Sequence, residues 1–181
     1  MWGIEYEVVA QLSGGWAVSS TGGYLRGDYT EFTVEDNILD PITLEESIVT
    51  RDLSDISFGN DGKEISFDAS LLHINELSAG GDVTTSIGYG YKDVQFGSLE
   101  NTPSSRMKGY WLLDGRMTWN LSNGRTRVSL WGTNLLDKEY VDTMLYQGGD
   151  LEVGGIDGSL GMIAKYWGNP RRMGLEVSHD L

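Results

Sequence analysis

The chain contains no cysteine, only 3 prolines and only 2 histidines among its 181 residues. Without thiols no disulfide can staple the fold, and thiolate chemistry is excluded. His73 and His179 stand apart, with no His, Cys or carboxylate at ligand spacing, so both are expected in structural or interfacial roles and not at a metal. Cations are scarce too: 13 Lys and Arg against 27 Asp and Glu leave a formal net charge of −14. That balance argues against nucleic acid as a partner, because neutralising phosphates takes clustered Lys and Arg. No apolar run reaches the roughly 18 residues of a membrane-spanning helix. A β-barrel stays open, since its strands alternate and keep mean hydropathy low. Catalytic patterns such as GxSxG, HExxH or a phosphate-binding glycine loop are also missing. Carboxylates are plentiful, yet spacing selects no Asp/Glu pair, so neither an enzyme activity nor a cofactor is expected.

What the chain has is glycine, 25 residues of it, and a rhythm. Seven runs alternate apolar and polar residues. Run one sets Ile4, Tyr6, Val8, Ala10 and Leu12 against Glu5, Glu7 and Gln11, with Val9 out of phase. Run two, 16 to about 29, is less regular: Trp16, Val18 and Tyr24 share a face with Ser20 and Gly22. Run three opens with Ile65, Phe67, Ala69 and Leu71 in phase and blurs at Leu72, His73 and Ile74. In run four Val83, Thr85, Ile87, Tyr89 and Tyr91 oppose Thr84, Ser86, Gly88, Gly90 and Lys92. Run five aligns Leu113, Gly115, Met117, Trp119 and Leu121; run six aligns Val128 and Leu130; run seven aligns Met173, Leu175, Val177, His179 and Leu181.

The connections alternate as well. Short turns, Ser13-Gly14-Gly15, Ser78-Ala79-Gly80-Gly81 and Ser122-Asn123-Gly124, join the runs in pairs, while long segments, roughly 33–63, 97–109 and 137–169, join the pairs. Runs of this length match the 9–11 residues, approximately, of a tilted transmembrane strand, and outer-membrane barrels put short turns on one rim and long loops on the other. One face of each run is too polar to be buried, so one face meets water; in a barrel that face is the lumen and the apolar face meets lipid. Trp16 and Trp119 fall near the short-turn rim, and Tyr24, Tyr29, Tyr89 and Tyr91 near the long-loop rim, as interfacial girdles require. Seven strands is an odd count for a single-chain bacterial barrel. Either 137–169 hides another strand, with 158–167 the candidate, or the chain is part of a larger barrel. No secretory leader precedes Gly3-Ile4-Glu5-Tyr6, so an exported protein is expected here as a mature form or a fragment.

The C-terminal third carries two motifs that resemble a known family. Val128-Ser129-Leu130-Trp131-Gly132-Thr133 followed by Asn134-Leu135-Leu136-Asp137-Lys138-Glu139-Tyr140 is similar to the signature that closes the penultimate barrel strand of TonB-dependent outer-membrane receptors. Gly168-Asn169-Pro170-Arg171-Arg172-Met173-Gly174-Leu175 is similar to that family's lead-in to its last strand. On this resemblance Asn134, Leu135, Asp137, Tyr140, Pro170, Arg171 and Gly174 are structural motif positions, not ligand sites. Asn and Asp suit a strand end that turns into a loop, and Pro, lacking a ladder donor, suits the start of a strand. The resemblance is strong over roughly 110–181 and elsewhere a matter of rhythm. It implies that residues 1–181 are the C-terminal segment of a transmembrane β-barrel, an antiparallel meander of about 7–8 strands from the 22-stranded architecture. The plug domain and TonB box of the family are not in the chain, and it ends on His179-Asp180-Leu181 where the family ends on an aromatic residue.

The same resemblance implies a function for the intact protein: import of a scarce solute (siderophore, cobalamin, oligosaccharide or similar) across the outer membrane, driven through TonB. Outer-membrane lipid and lipopolysaccharide, TonB acting on the plug, and the solute are then the partners. The segment from Glu31 to Asp61 is strongly acidic, with Arg51 as its lone arginine, and reads as a solvated loop near the lipopolysaccharide layer, without calcium-loop spacing. Two alternatives are a small self-contained outer-membrane barrel, pore or adhesin, and a soluble carbohydrate-binding β-sandwich. The first requires an eighth strand and pairing of the first and last runs; the second requires tryptophans gathered on one exposed face.

Overall fold

The computed structural model of the chain describes residues 1–39, 42–56, 62–98, 101–147 and 162–181. The described residues form thirteen strands, in the order β1 Trp2–Gln11, β2 Trp16–Arg26, β3 Thr33–Leu39, β4 Glu46–Asp52, β5 Lys63–Glu76, β6 Gly81–Lys92, β7 Gln95–Phe96, β8 Arg106–Met107, β9 Tyr110–Leu121, β10 Thr126–Thr133, β11 Val141–Gln147, β12 Met162–Trp167 and β13 Arg172–His179. A 3-10 turn, Pro103–Ser105, precedes β8. The protein is all-β. Seven strands make one antiparallel sheet in the order β1-β2-β5-β6-β9-β10-β13, and these are the seven runs of the sequence. The remaining six pair as hairpins β3–β4, β7–β8 and β11–β12, one within each long connection.

Register explains why the sheet has two unlike faces. Tyr24 stands opposite Ile4 and Ile65; Phe67 opposite Tyr91; Ile87 opposite Leu71 and Gly115; Leu130 opposite Met117 and Leu175. Side chains alternate along every strand, so these pairings put all seven in-phase sets on one side. Of the strand positions on that side, none is Asp or Glu, and the only Lys or Arg are Arg26 and Lys63. The other side carries Glu5, Glu7, Glu64, Asp68, Asp82, Lys92, Asp114, Arg116, Arg127, Arg172 and Glu176, alongside Val9, Leu72 and Ile74.

Among the described residues no second layer covers the apolar face. Ile87 is 48% exposed, Leu130 58% and Leu175 70%. Among the described residues only Val94 and Met144 are buried hydrophobics, and neither belongs to the seven-stranded sheet. What little core exists lies among the long connections, where the Met144 side chain covers Gly97 and Ser105 is wholly buried. A sheet normally hides its apolar face under a second layer; here none is packed against it among the described residues.

The short turns are tight because glycine allows them to be. In the β5–β6 turn Gly80 and Gly81 have φ of 86° and 85°, a region closed to most side chains. The long connections differ from expectation. The sequence suggests loops at 33–63, 97–109 and 137–169; the first and last of these hold the β3–β4 and β11–β12 hairpins. The middle one holds the 3-10 turn and the two-residue β8, whose partner β7 lies just before it, and the intervening spans begin earlier, after Arg26, Lys92 and Thr133. Strand structure expected within 158–167 is realised as β12 from Met162 onward; residues 158–161 lie outside the described residues. It pairs with β11 and not with the large sheet, so it adds no eighth strand there. β1 and β13 each have a single neighbour and form the two edges.

Candidate functional site

Two features of the large sheet bear on function: a polar hollow and a hydrogen-bonded corner. The hollow, of about 630 Å³, lies on the polar face and crosses β2, β5, β6 and β9. Its floor is low because Gly88 and Gly90 supply no side chains; a Cβ on Gly88 would meet nothing within 4 Å. Ser19 and Ser70 join hydroxyls across its wall at 2.7 Å, and Asp68, Asp114 and Lys92 supply charge. A second hollow of about 520 Å³ adjoins it towards β1, adding Glu5 and Glu7. Among the charged residues lining the two hollows, Glu5, Glu7, Glu64, Asp68 and Asp114 outnumber Lys92. No group of three His, Cys, Asp or Glu positioned for a metal occurs among the described residues.

The corner gathers the motif residues. Asn134 follows β10 with φ of 48°, and its N–H donates to the Asp114 carboxylate at 2.8 Å. Its side-chain amide donates to the carbonyls of Lys138 at 2.9 Å and Asn169 at 3.0 Å, while its own oxygen accepts from the Lys138 N–H at 2.8 Å. Every polar atom of this buried side chain is therefore satisfied, as burial demands. Asp137, also left-handed with φ of 53°, accepts from the Arg171 N–H at 3.0 Å, and the Arg171 guanidinium lies 3.8 Å from its carboxylate. Tyr140 takes the Gly168 N–H on its carbonyl and lays its ring over that glycine. Pro170 occupies the position between Asn169 and Arg171, just before β13, where no ladder donor is needed.

Leu135 and Gly174 complete the corner from the two faces. The Leu135 N–H donates to the Leu113 carbonyl at 2.8 Å, and its side chain folds over Gly115 and Gly132 on the apolar face. Gly174 lies under the Trp131 indole on the polar face, where a Cβ would come within 2.7 Å of the ring. All seven motif residues recognised in sequence are thus brought to one junction between β10 and β13. Missed in sequence were the glycines Gly115 and Gly132 as a seat for Leu135; glycines in phase with apolar residues on adjacent strands are the signal that marks such a seat.

Neither histidine stands at a ligand cluster. His73 stacks on Trp16 with ring centroids 4.1 Å apart, and His179 places Nδ1 at 2.9 Å from the Thr126 hydroxyl. The acidic segment expected between Glu31 and Asp61 holds the β3–β4 hairpin, in which Asp52 is drawn below the usual carboxylate range by hydrogen bonds from the Ser54 hydroxyl and N–H. Asp40 and Asp61 of that segment, and Gly148, Gly149, Asp150, Glu152, Gly154, Gly155 and Asp157 of the last connection, lie outside the described residues. No protein-family model, curated protein or solved structure matches the chain.

Proposed function

We propose that the chain is a membrane-spanning wall segment of a TonB-dependent outer-membrane receptor, its apolar face against lipid and its polar face towards the lumen. The observation that carries this is the uncovered apolar face, continuous over seven registered strands and free of carboxylates. Exposed to water, so large an apolar surface marks an interaction site or invites aggregation; in a bilayer it is the surface the environment demands. The spacing of aromatics agrees. Trp16 and Tyr24 on β2, and Trp111 and Trp119 on β9, are each eight residues apart on this face. Eight residues rise about 27 Å along a strand, or about 20 Å along the normal of a strand tilted by 35–45°, close to the height of an outer-membrane apolar band.

Strand parity supports a larger barrel. Six antiparallel steps separate β1 from β13, so the two edges run in the same direction. An all-antiparallel closure needs an odd number of further strands, and the 15 that would bring 7 to 22 is odd. The hairpins of the long connections would form the outer vestibule, and the hollow part of the lumen wall. In such a protein this segment binds and guides a solute without covalent chemistry, while TonB acts on a plug carried elsewhere.

Absence of native cysteine makes the test simple. Single cysteines replacing Leu130, Leu175, Ser129 or Glu176 would be labelled with an environment-sensitive fluorophore after reconstitution into vesicles containing a quencher-bearing lipid. Quenching at 130 and 175 with none at 129 and 176 is expected. Equal accessibility to an aqueous quencher at all four positions would overturn the membrane assignment.

A further inference from the structure

The one charged spot on the apolar face points to a lipid partner. Arg26 closes β2 and Lys63 opens β5, and the register sets them directly opposite each other. Like charges so placed repel and destabilise a strand pair. Neither residue forms an ion pair among the described residues, and Asp28, the nearby acid of this rim, turns its carboxylate against Gly62. Both side chains are exposed. Arg26 stands directly opposite Trp2 and one pleat beyond Tyr24, the two rings meeting at 5.4 Å, so the cations lie at the outer edge of the aromatic band at the long-connection rim. A pair of cations at headgroup depth with no ion-pair partner among the described residues, on a chain otherwise dominated by acids, calls for an anion from outside the protein.

We infer that Arg26 and Lys63 form a seat for the phosphate of a membrane lipid headgroup. The guanidinium offers a planar fork for two phosphate oxygens and the ammonium a point charge beside it. Trp2 and Tyr24 would flank the glycerol or sugar to which the phosphate is attached. The seat fixes the depth of the wall at the rim that carries the hairpins, and it rests on the membrane reading given above.

The test is flotation of the full 181-residue chain with phosphatidylcholine vesicles, alone or containing a minor fraction of phosphatidic acid. The double variant Arg26→Gln with Lys63→Gln is compared with a matched double variant on the polar face, Lys92→Gln with Arg127→Gln. With each cation near a charged surface contributing about a factor of five, the first variant is expected to bind phosphatidic acid vesicles up to roughly thirtyfold more weakly than the wild type, and neutral vesicles equally well. The polar-face variant is expected to keep the phosphatidic acid response. Equal losses in the two double variants, or no loss in the first, would remove the seat while leaving the membrane reading intact. Failure of the wild type to float even with neutral vesicles would remove both.

Discussion

Asn134 donates from its side-chain amide to the carbonyl of Asn169, a residue 35 positions further along the chain, at 3.0 Å. That bond draws the two ends of the β10–β13 connection together, so that the β11–β12 hairpin springs from a fixed base. The same side chain holds Lys138 by its N–H and its carbonyl.

Replacing Asn134 with alanine would leave two carbonyls and one N–H of a buried corner without partners. It would also force a Cβ-bearing residue without a local hydrogen bond to keep φ of 48°. A loss of about 2–4 kcal/mol is expected, read as a lowered midpoint of denaturant unfolding in lipid or detergent. Asn134→Asp, which keeps the acceptor and loses the donor, should fall between alanine and wild type. An unchanged midpoint for alanine would mean that the corner does not hold the connection.

Two glycines on opposite faces of the sheet should respond unequally to the same change. Gly132→Val drives a side chain into Leu135 and Met173 on the apolar face, an overpacking expected to cost about 1–3 kcal/mol. Gly88→Val fills open space in the polar hollow and should alter stability by about 0.5 kcal/mol or less. Unfolding midpoints of the two variants, measured side by side, check the difference; equal effects would show that backbone conformation and not space decides both.

Much of the large sheet was legible because alternation is a local signal and register preserves it. Where the pattern blurred, a specific neighbour explains the blur. Ser20 and Gly22 look out of place in run two, but the Tyr6 ring lies over Gly22 and its hydroxyl reaches Ser20 at 3.0 Å, so one aromatic fills three positions. Of the hairpins only β12, within 158–167, was legible. In β3 and β4 acidic residues are interleaved with Val34, Ile48 and Val49, and acidity read as solvation hides the pairing of Thr33 through Leu39 with Glu46 through Asp52. The motif corner was visible as residue types at strand ends, yet the closeness of Asn134 to Asn169 is a long-range contact that spacing cannot give. The hollow was beyond reach for the same reason, being built from four strands brought together by register.

Acid should loosen the end of the β3–β4 hairpin. The Ser54 hydroxyl and N–H, the latter at 2.9 Å, favour the ionised form of Asp52 and lower its pKa in the fold. A depressed carboxyl contributes stability above its unfolded pKa and loses it as pH falls through the folded value. The window therefore lies at and below the ordinary carboxylate range. Amide exchange at Leu53 and Ser54, corrected for intrinsic rates, is expected to accelerate there in the wild type. Asp52→Asn should remove that pH dependence, and a wild-type profile without it would mean the turn is held by the Leu53 N–H to Phe32 carbonyl bond at 2.6 Å instead.

A single charge on either face distinguishes lipid from water most directly. Ile87 and Thr84 lie on one strand, β6, but on opposite sides of the sheet, and Thr84 shares its side with the carboxylate of Asp82 at 3.0 Å. Arginine at position 87 would stand in the apolar field between the aromatic bands, where a barrel loses about 2–4 kcal/mol near the bilayer midplane. Arginine at position 84 would lie on the polar side and exchange the Thr84 hydroxyl bond for an ion pair with the half-buried Asp82 carboxylate, a change of about 0.5 kcal/mol or less. Vesicle reconstitution yields and unfolding midpoints for Ile87→Arg and Thr84→Arg measure the contrast. Were the sheet's apolar side covered by water-soluble protein and not lipid, the cost at position 87 would appear in detergent-free solution as well; a loss confined to vesicles ties that face to the bilayer.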